Sequence, residues 1–197
     1  MCHFIESIRL ENGNVKLLDY HQDRMDRTLF HHFACQNHVK ISKILENIEL
    51  PSTGVYKIRI LYSQILQNIQ IIPYQQKTYS DFEIIELPNH YNYAYKFADR
   101  ALFETLSKHL NPQTIAIFSK QSMLTDALYA NLIFQKNGIL YTPNTPLLQG
   151  VQRRYLLENN IILETNISIH DIFSFEKVGL INAMIPLENV EFIEIVK

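Results

Sequence analysis

The chain has 197 residues, a formal net charge of −2 and two cysteines, Cys2 and Cys35. That length suits one compact unit or two small lobes, and the near-neutral balance excludes the polycationic face of a nucleic-acid binder. Two cysteines make neither a disulfide framework nor a metal-ligand cluster, no apolar run is long enough to span a membrane, and the start Met-Cys-His-Phe-Ile-Glu has no signal-peptide pattern. A cytoplasmic protein that meets neither nucleic acid nor membrane is expected. His31, His32 and His38 stand near no carboxylate pair at ligand spacing, so no metal is expected.

Residues 1–76 read as a small lobe of order β-β-α-α-β-β. Residues 4–10 alternate apolar and polar, Glu11-Asn12-Gly13-Asn14 makes a hairpin turn, and residues 15–18 return. Asp19 is placed to cap a helix over about residues 20–34, with Met25, Leu29 and Phe33 on one stripe. Ile41, Ile44, Leu45 and Ile48 give a second helix that ends before Pro51, and strands follow over 55–62 and 65–74. The polar run Gln75-Gln76-Lys77-Thr78 breaks the pattern, so residues 77–80 are expected as a linker and 81–197 as a larger lobe.

That lobe mixes strands and helices. A strand over 82–87 leads to the Tyr-rich segment before Lys96; if extended, it would set Tyr91, Tyr93, Tyr95 and Phe97 on one face. A helix is expected over 99–109 with Leu102, Phe103 and Leu106 inward, then a strand over 114–118. Residues 131–135 and 139–142 form a hairpin around Lys136-Asn137-Gly138. A helix follows Gly150 through Glu158, and the last strands fall at 161–164, 178–182 and 190–195.

Several residues carry possible chemistry. Lys96 sits among aromatics in Tyr95-Lys96-Phe97-Ala98-Asp99-Arg100, where an apolar surround eases loss of its proton; most lysines are simply solvated. Gly150-Val151-Gln152-Arg153 opens a helix whose free N–H groups suit a phosphate, or is an ordinary loop-to-helix junction. Arg24 shares a helix face with His21 and suits an anion, or is a solvated charge beside Asp23 and Asp26. Asp126 precedes the strand that begins at Asn131, and is either a carboxylate for a cationic ring nitrogen or a turn residue. Asn182 ends an apolar strand, facing a cleft or closing a turn. Arg59 alternates with apolar residues, and either grips a substrate carboxylate or faces solvent. An amine, an anion site and a carboxylate are together what pyridoxal phosphate (PLP) requires.

In order and spacing these segments resemble the class IV aminotransferases, the fold-type-IV PLP enzymes. Ile5-Glu6-Ser7-Ile8-Arg9 is similar to that family's Phe-Glu-Thr-Ile-Arg strand, and His21-Gln22-Asp23-Arg24 to its His-x-x-Arg helix. Lys96 through Arg100 is similar to the segment around the Schiff-base lysine, and Leu124-Thr125-Asp126-Ala127 through Asn131-Leu132-Ile133-Phe134 to Val-Thr-Glu-Gly through Ser-Asn-Ile-Phe. Thr142-Pro143 followed by Gly150-Val151-Gln152-Arg153 is similar to the Thr-Pro and Gly-Ile-Thr-Arg pair.

The resemblance implies an α+β, two-lobe fold of the D-amino-acid aminotransferase kind, a small α/β lobe beside a larger, mixed, barrel-like one. It implies PLP as cofactor, Lys96 as its covalent anchor and catalytic residue, and Arg24, Asp126, Asn131, Val151, Gln152, Asn182 and Ala183 around the cofactor. Asp126 stands for the family's glutamate, Gln152 for a threonine, and Ala183 where Ser or Thr is frequent. The family's usual N-terminal strands before Phe-Glu-Thr have no counterpart. An amino-acid-like substrate is implied, with Ser7 and Arg59 as candidate contacts, in a homodimer. Ser7 has a hydroxyl where the lyase resemblance shows threonine and the branched-chain enzymes show glycine. That favours 4-amino-4-deoxychorismate lyase, which releases 4-aminobenzoate and pyruvate, over a branched-chain or D-amino-acid aminotransferase or a catalytically silent member.

Overall fold

The computed structural model describes residues 2–34 and 39–196; Cys35 and His38 lie outside the described residues. The chain forms two compact units, residues 1–76 with 95–99, and residues 77–94 with 100–197. It therefore passes between units three times, where the sequence suggested one passage at 77–80.

The first unit carries a four-stranded sheet in the order β2-β1-β3-β4, from β1 (Phe4–Glu11), β2 (Asn14–Val15), β3 (Val55–Tyr62) and β4 (Leu66–Pro73). All three pairings are antiparallel. Asn12 and Gly13 both take positive φ, 47° and 78°, the geometry of a two-residue turn whose twist matches its strands. Helix α1 (Leu18–Phe33) buries His21, Arg24, Met25, Thr28 and Leu29, a stripe at helical spacing. The short α2 (Ile41–Leu45) adds Ile41 and Leu45 to the core of Phe4, Ile8, Leu10, Ile58, Ile60 and Tyr62. Asp19 does not cap α1: the helix starts two residues earlier than expected, at Leu18, behind Leu17 in the left-handed region. The returning strand is correspondingly cut to Asn14–Val15.

The second unit carries a sheet path β10-β9-β8-β7-β6-β5, with β11 joined to β8 and β12 to β11. The strands are β5 (Asp81–Glu86), β6 (Thr114–Lys120), β7 (Met123–Ala127), β8 (Ala130–Lys136), β9 (Ile139–Pro143), β10 (Leu163–Thr165), β11 (Lys177–Ile181) and β12 (Ile193–Glu194). The β5–β6 and β9–β10 pairs are parallel and the others antiparallel. The path ends at β10 and β5 and is not a closed ring. Helices α3 (Ala101–Ser107) and α4 (Val151–Glu158) complete the unit, α3 shorter at both ends than the expected 99–109. Strand β7 was not foreseen, so Asp126 lies inside one strand as well as ahead of the next, β8. The aromatic row is not a strand either. Tyr91 and Tyr93 pack on Phe103 in the second unit, and Tyr95 and Phe97 pack on Phe4 and His32 in the first.

One polar cluster joins α1 to the sheet of the first unit. Glu6 lies on the face of β1 shared with Phe4 and Ile8, and is fully buried. Arg24 donates to it twice, Nε to Oε1 at 2.9 Å and Nη2 to Oε2 at 2.5 Å, and His21 Nδ1 lies 2.6 Å from Oε2. Burial raises the Glu6 pKa, but the Arg24 charge and the contacts with His21 outweigh it and bring the carboxyl to about 2. Burial also holds His21 below its ordinary value, with the charges of Arg24 and Lys96 adding to the effect against Glu6. Glu6 is thus the anion, Arg24 its counter-charge, and His21 a neutral ring donating from Nδ1.

Glu6→Gln leaves Arg24 without its counter-charge and should cost about 3–5 kcal/mol of stability, read from urea unfolding at neutral pH. The folded pKa lies below the unfolded value of about 4.3. The stability from Glu6 is therefore complete above about pH 4.3 and disappears as pH falls toward about 2. Across that window the Gln variant should lose less stability than the parent; equal losses would contradict the assignment.

Candidate cofactor and substrate site

Lys96 belongs to the first unit. It is the central residue of a three-residue turn closed by Phe97 N–H to the Tyr95 carbonyl at 2.9 Å, a turn that projects its middle side chain. The segment is docked along β1. Ile5 N–H donates to the Lys96 carbonyl at 3.0 Å, Ala98 N–H donates to the His3 carbonyl at 2.8 Å, and Phe4 bridges Phe97. The flanking rings anchor it. Phe97 lies 5.1 Å from Phe4, and Tyr95 4.3 Å from His32, centroid to centroid. Lys96 is half-buried, and its charge reaches far enough to disfavour protonation of His21.

Ser7 and Arg59 are direct cross-strand partners, and Arg59 is in turn opposite Gln70. The three form one polar row across β1, β3 and β4. Strand alternation sets this row on the face away from Glu6, so the sheet separates it from Arg24. Ser7 and Arg59 are half-buried. The structure thus brings Ser7 to Arg59, and Arg24 to Glu6 and His21.

In the second unit Asp126 and Asn131 face each other across the β7–β8 hairpin. Both are buried. Asp126 Oδ1 accepts from Asn131 Nδ2 at 2.6 Å, and Oδ2 accepts from Leu148 N–H at 2.9 Å. Burial pushes its pKa up to about 6, against the lowering effect of these bonds and of Arg153. Asn131 Nδ2 also donates to the Leu148 carbonyl at 2.9 Å. Two residues on, Gly150 precedes α4 in an extended conformation, and the helix start has neither a side-chain cap nor an acidic residue in its first turn. A Cβ on Gly150 would lie 2.0 Å from Asn131 Oδ1, so only glycine admits this approach. Val151 and Gln152, which supply the first N–H groups of α4, are buried.

Arg153 secures the other side of α4, donating to Thr142 Oγ1 at 3.3 Å, Gln149 Oε1 at 3.0 Å and the Pro143 carbonyl at 2.9 Å, and pairing with Glu164. Asn182 folds its side chain into its own turn. Its Oδ1 accepts from Met184 N–H at 2.7 Å and Ile185 N–H at 3.0 Å, and its Nδ2 donates to the Tyr129 carbonyl at 3.0 Å. Ala183 is the half-buried residue inside that turn. Arg100 donates to the Leu128 carbonyl and lies over the rings of Tyr93, Phe103 and Tyr129, 4.4 Å from the last centroid. Among the described residues no group of three metal-ligating side chains occurs, and no helix is long and apolar enough to cross a membrane.

These residues fit PLP. Asp126 is a buried carboxylate whose bonded partners are neutral amides, so a cationic ring nitrogen would complete its electrostatics. Gly150 leaves the cradle that a phosphate needs at an uncapped helix start. Glu6, His21, Gly150 and Leu148 matter to this arrangement and were not among the expected site residues. Glu6 was detectable as a charge in phase with Phe4, Ile8 and Leu10.

The sequence matches the family Amino-transferase class IV over residues 3–191. An uncharacterized protein of Haemophilus influenzae is 33% identical over 187 residues, covering 93% of this chain and 98% of that one. A crystal structure from Haemophilus somnus, named a "putative 4-amino-4-deoxychorismate lyase", matches with a TM-score of 0.88 at 32% identity, over 95% of this chain and 98% of that one. The branched-chain amino acid aminotransferase of Escherichia coli shares the fold at a TM-score of 0.70 and 17% identity, over 98% of this chain and 75% of that one. The chain belongs to the class IV aminotransferase family and is a pyridoxal-phosphate-dependent enzyme, an aminotransferase or a lyase.

Proposed function

We propose that the chain is a 4-amino-4-deoxychorismate lyase, releasing 4-aminobenzoate and pyruvate. The observation that carries this reading is the likeness to the Haemophilus somnus protein of that name over nearly the full length of both chains. Ser7 supports it, as a hydroxyl-bearing residue directly opposite Arg59 in the β1–β3 register. Bound PLP supplies an electron sink for the pair released when a bond at the substrate α-carbon breaks.

Lys96 would hold the cofactor through Nζ, and the same amine would serve as the base for the α-carbon proton. Asp126 holds positive charge at the ring nitrogen. The N–H groups of Val151 and Gln152 take the phosphate with Arg24, whose guanidinium Glu6 keeps in one orientation. Asn131 supports Asp126, and the turn of Asn182 and Ala183 closes the cofactor side. Arg59 grips a substrate carboxylate, with Ser7 hydrogen-bonding beside it. A cytoplasmic location belongs to the same proposal.

Lys96→Ala should abolish turnover and the borohydride-fixed label while the far-ultraviolet dichroism stays that of the parent; a label mapped to another lysine would refute the assignment. In the parent enzyme, aminodeoxychorismate should yield 4-aminobenzoate with pyruvate. Amino-group transfer from leucine to 2-oxoglutarate without lyase turnover would make it an aminotransferase instead.

Arg59→Ala should raise KM for the substrate by roughly ten- to a hundredfold, the loss of a charge-assisted bond of about 1.5–3 kcal/mol, and leave PLP affinity within twofold. An unchanged KM would assign Arg59 to solvent.

The active form is proposed to be a homodimer, on family grounds and because two-fold pairing is the commonest oligomer. The Tyr91, Tyr93, Tyr95 and Phe97 rings do not support it, since they pack within their own units. Light scattering at micromolar concentration should give twice the chain mass; a fully active monomer would overturn the proposal.

A further inference from the structure

We propose that Asn131 is a positioning residue that fixes the Asp126 carboxylate and the first turn of α4 as one rigid piece, so that the ring and the phosphate of the cofactor bind at a set separation. This rests on the assignment of Asp126 to the ring nitrogen and of the α4 N–H groups to the phosphate.

Asn131 has two amide protons and both are committed. One goes to Asp126 Oδ1 at 2.6 Å and the other to the Leu148 carbonyl at 2.9 Å. Leu148 N–H returns to Asp126 Oδ2 at 2.9 Å. The carboxylate, the amide and one residue of the loop therefore close a ring of three hydrogen bonds, with Asp126 and Asn131 buried. The remaining amide atom, Oδ1, lies against Gly150, where even a methyl group would meet it at 2.0 Å. Gly150 is the residue that starts α4, and its carbonyl accepts the helical bond from Arg154 N–H at 2.9 Å. One side chain thus touches β7, the loop at 148 and the helix start, while its base belongs to β8.

The residue type follows from these demands. An aspartate at 131 would set two buried carboxylates against each other and drive one to take a proton. A leucine would offer the carboxylate and the loop carbonyl nothing, stranding buried polar atoms. With both protons engaged and Oδ1 covered by Gly150, Asn131 acts on the cofactor through Asp126 and α4 and makes no contact of its own. The bonds from Asn131 and Leu148 also oppose the burial that raises the Asp126 pKa, so the same amide keeps the carboxylate toward its charged form.

The test uses two fragments of the cofactor. Full-length protein freed of PLP is titrated with pyridoxal, which has the ring without the phosphate, and with inorganic phosphate in competition with PLP. Asn131→Ala should weaken both, each about tenfold, the loss of roughly one net hydrogen bond. Asp126→Ala should weaken pyridoxal by more than it weakens phosphate, since it removes the ring-nitrogen partner itself as well as two bonds of the clamp. A variant at 131 that weakens one probe alone, or neither, overturns the proposal. Unchanged pyridoxal binding by Asp126→Ala overturns the underlying site assignment and the proposal with it, a failure distinct from that of Asn131 alone. If Asn131→Ala does not fold, Gly150→Ala displaces the same amide without removing it, and must show the same double loss or overturn the proposal.

Discussion

A carboxylate inside a protein must either be matched by charge or be held partly uncharged, because the interior solvates an anion poorly. Among the described residues two are buried, Glu6 and Asp126, one in each unit, and they are resolved in opposite ways. Glu6 is matched by Arg24 and His21 and sits at a pKa of about 2. Asp126 is matched by amide N–H groups, feels Arg153 more weakly, and sits at about 6. The first carboxylate has its counter-charge from the protein itself, and the pair locks α1 to β1. The second is open to a ligand, because a cation brought to Asp126 would gain what the protein does not provide. Burial alone therefore does not mark a binding carboxylate; burial without a bonded cation does.

The same distinction organises the lysine. A nucleophile on a free loop would lose its aim to conformational entropy. Residues 95–99 are instead carried into the first unit and pinned to β1 by two backbone hydrogen bonds, with a ring on each side of Lys96 docked among Phe4 and His32. The tyrosines and Phe97 are what make a five-residue excursion affordable, since each buried ring contributes apolar burial that a polar segment lacks. Arg100 then takes the chain back into the second unit, fixed by the Leu128 carbonyl and a cage of three rings.

Much of this was legible in the residues, and the exceptions have physical causes. Asn12-Gly13 and Asn137-Gly138 announce their hairpins because both positions need positive φ and these residues tolerate it. The β6–β7 turn uses Gln121 and Ser122 at φ of 52° and 62°, residues that carry no such signal, so β7 was missed and Asp126 was read as lying outside a strand. The start of α1 was misread because Leu17, a residue with no cap chemistry, takes the left-handed position. The start of α4 was legible because Gly150 and the residues after it are neighbours in sequence as well as in space. The aromatic row and the Asn131 clamp were not, because alternate tyrosines were divided between units, and an asparagine's partners at Leu148 and Gly150 are set by the fold.

The reaction is harder to read than the cofactor for a related reason. Buried polar groups must each be paired, so their partners record their purpose. Groups that choose a substrate must keep polar capacity for a molecule not yet there, and they lie where burial records little. The row Ser7–Arg59–Gln70 is half-buried or exposed, on the sheet face away from the Glu6 cluster, and side by side through strand register. A guanidinium flanked by a hydroxyl on one strand and an amide on the other can address a carboxylate and an adjacent hydroxyl together. A branched aliphatic side chain would leave the hydroxyl and amide unsatisfied at a desolvation cost. The polarity of the row comes from the pairing register of three strands, β1, β3 and β4.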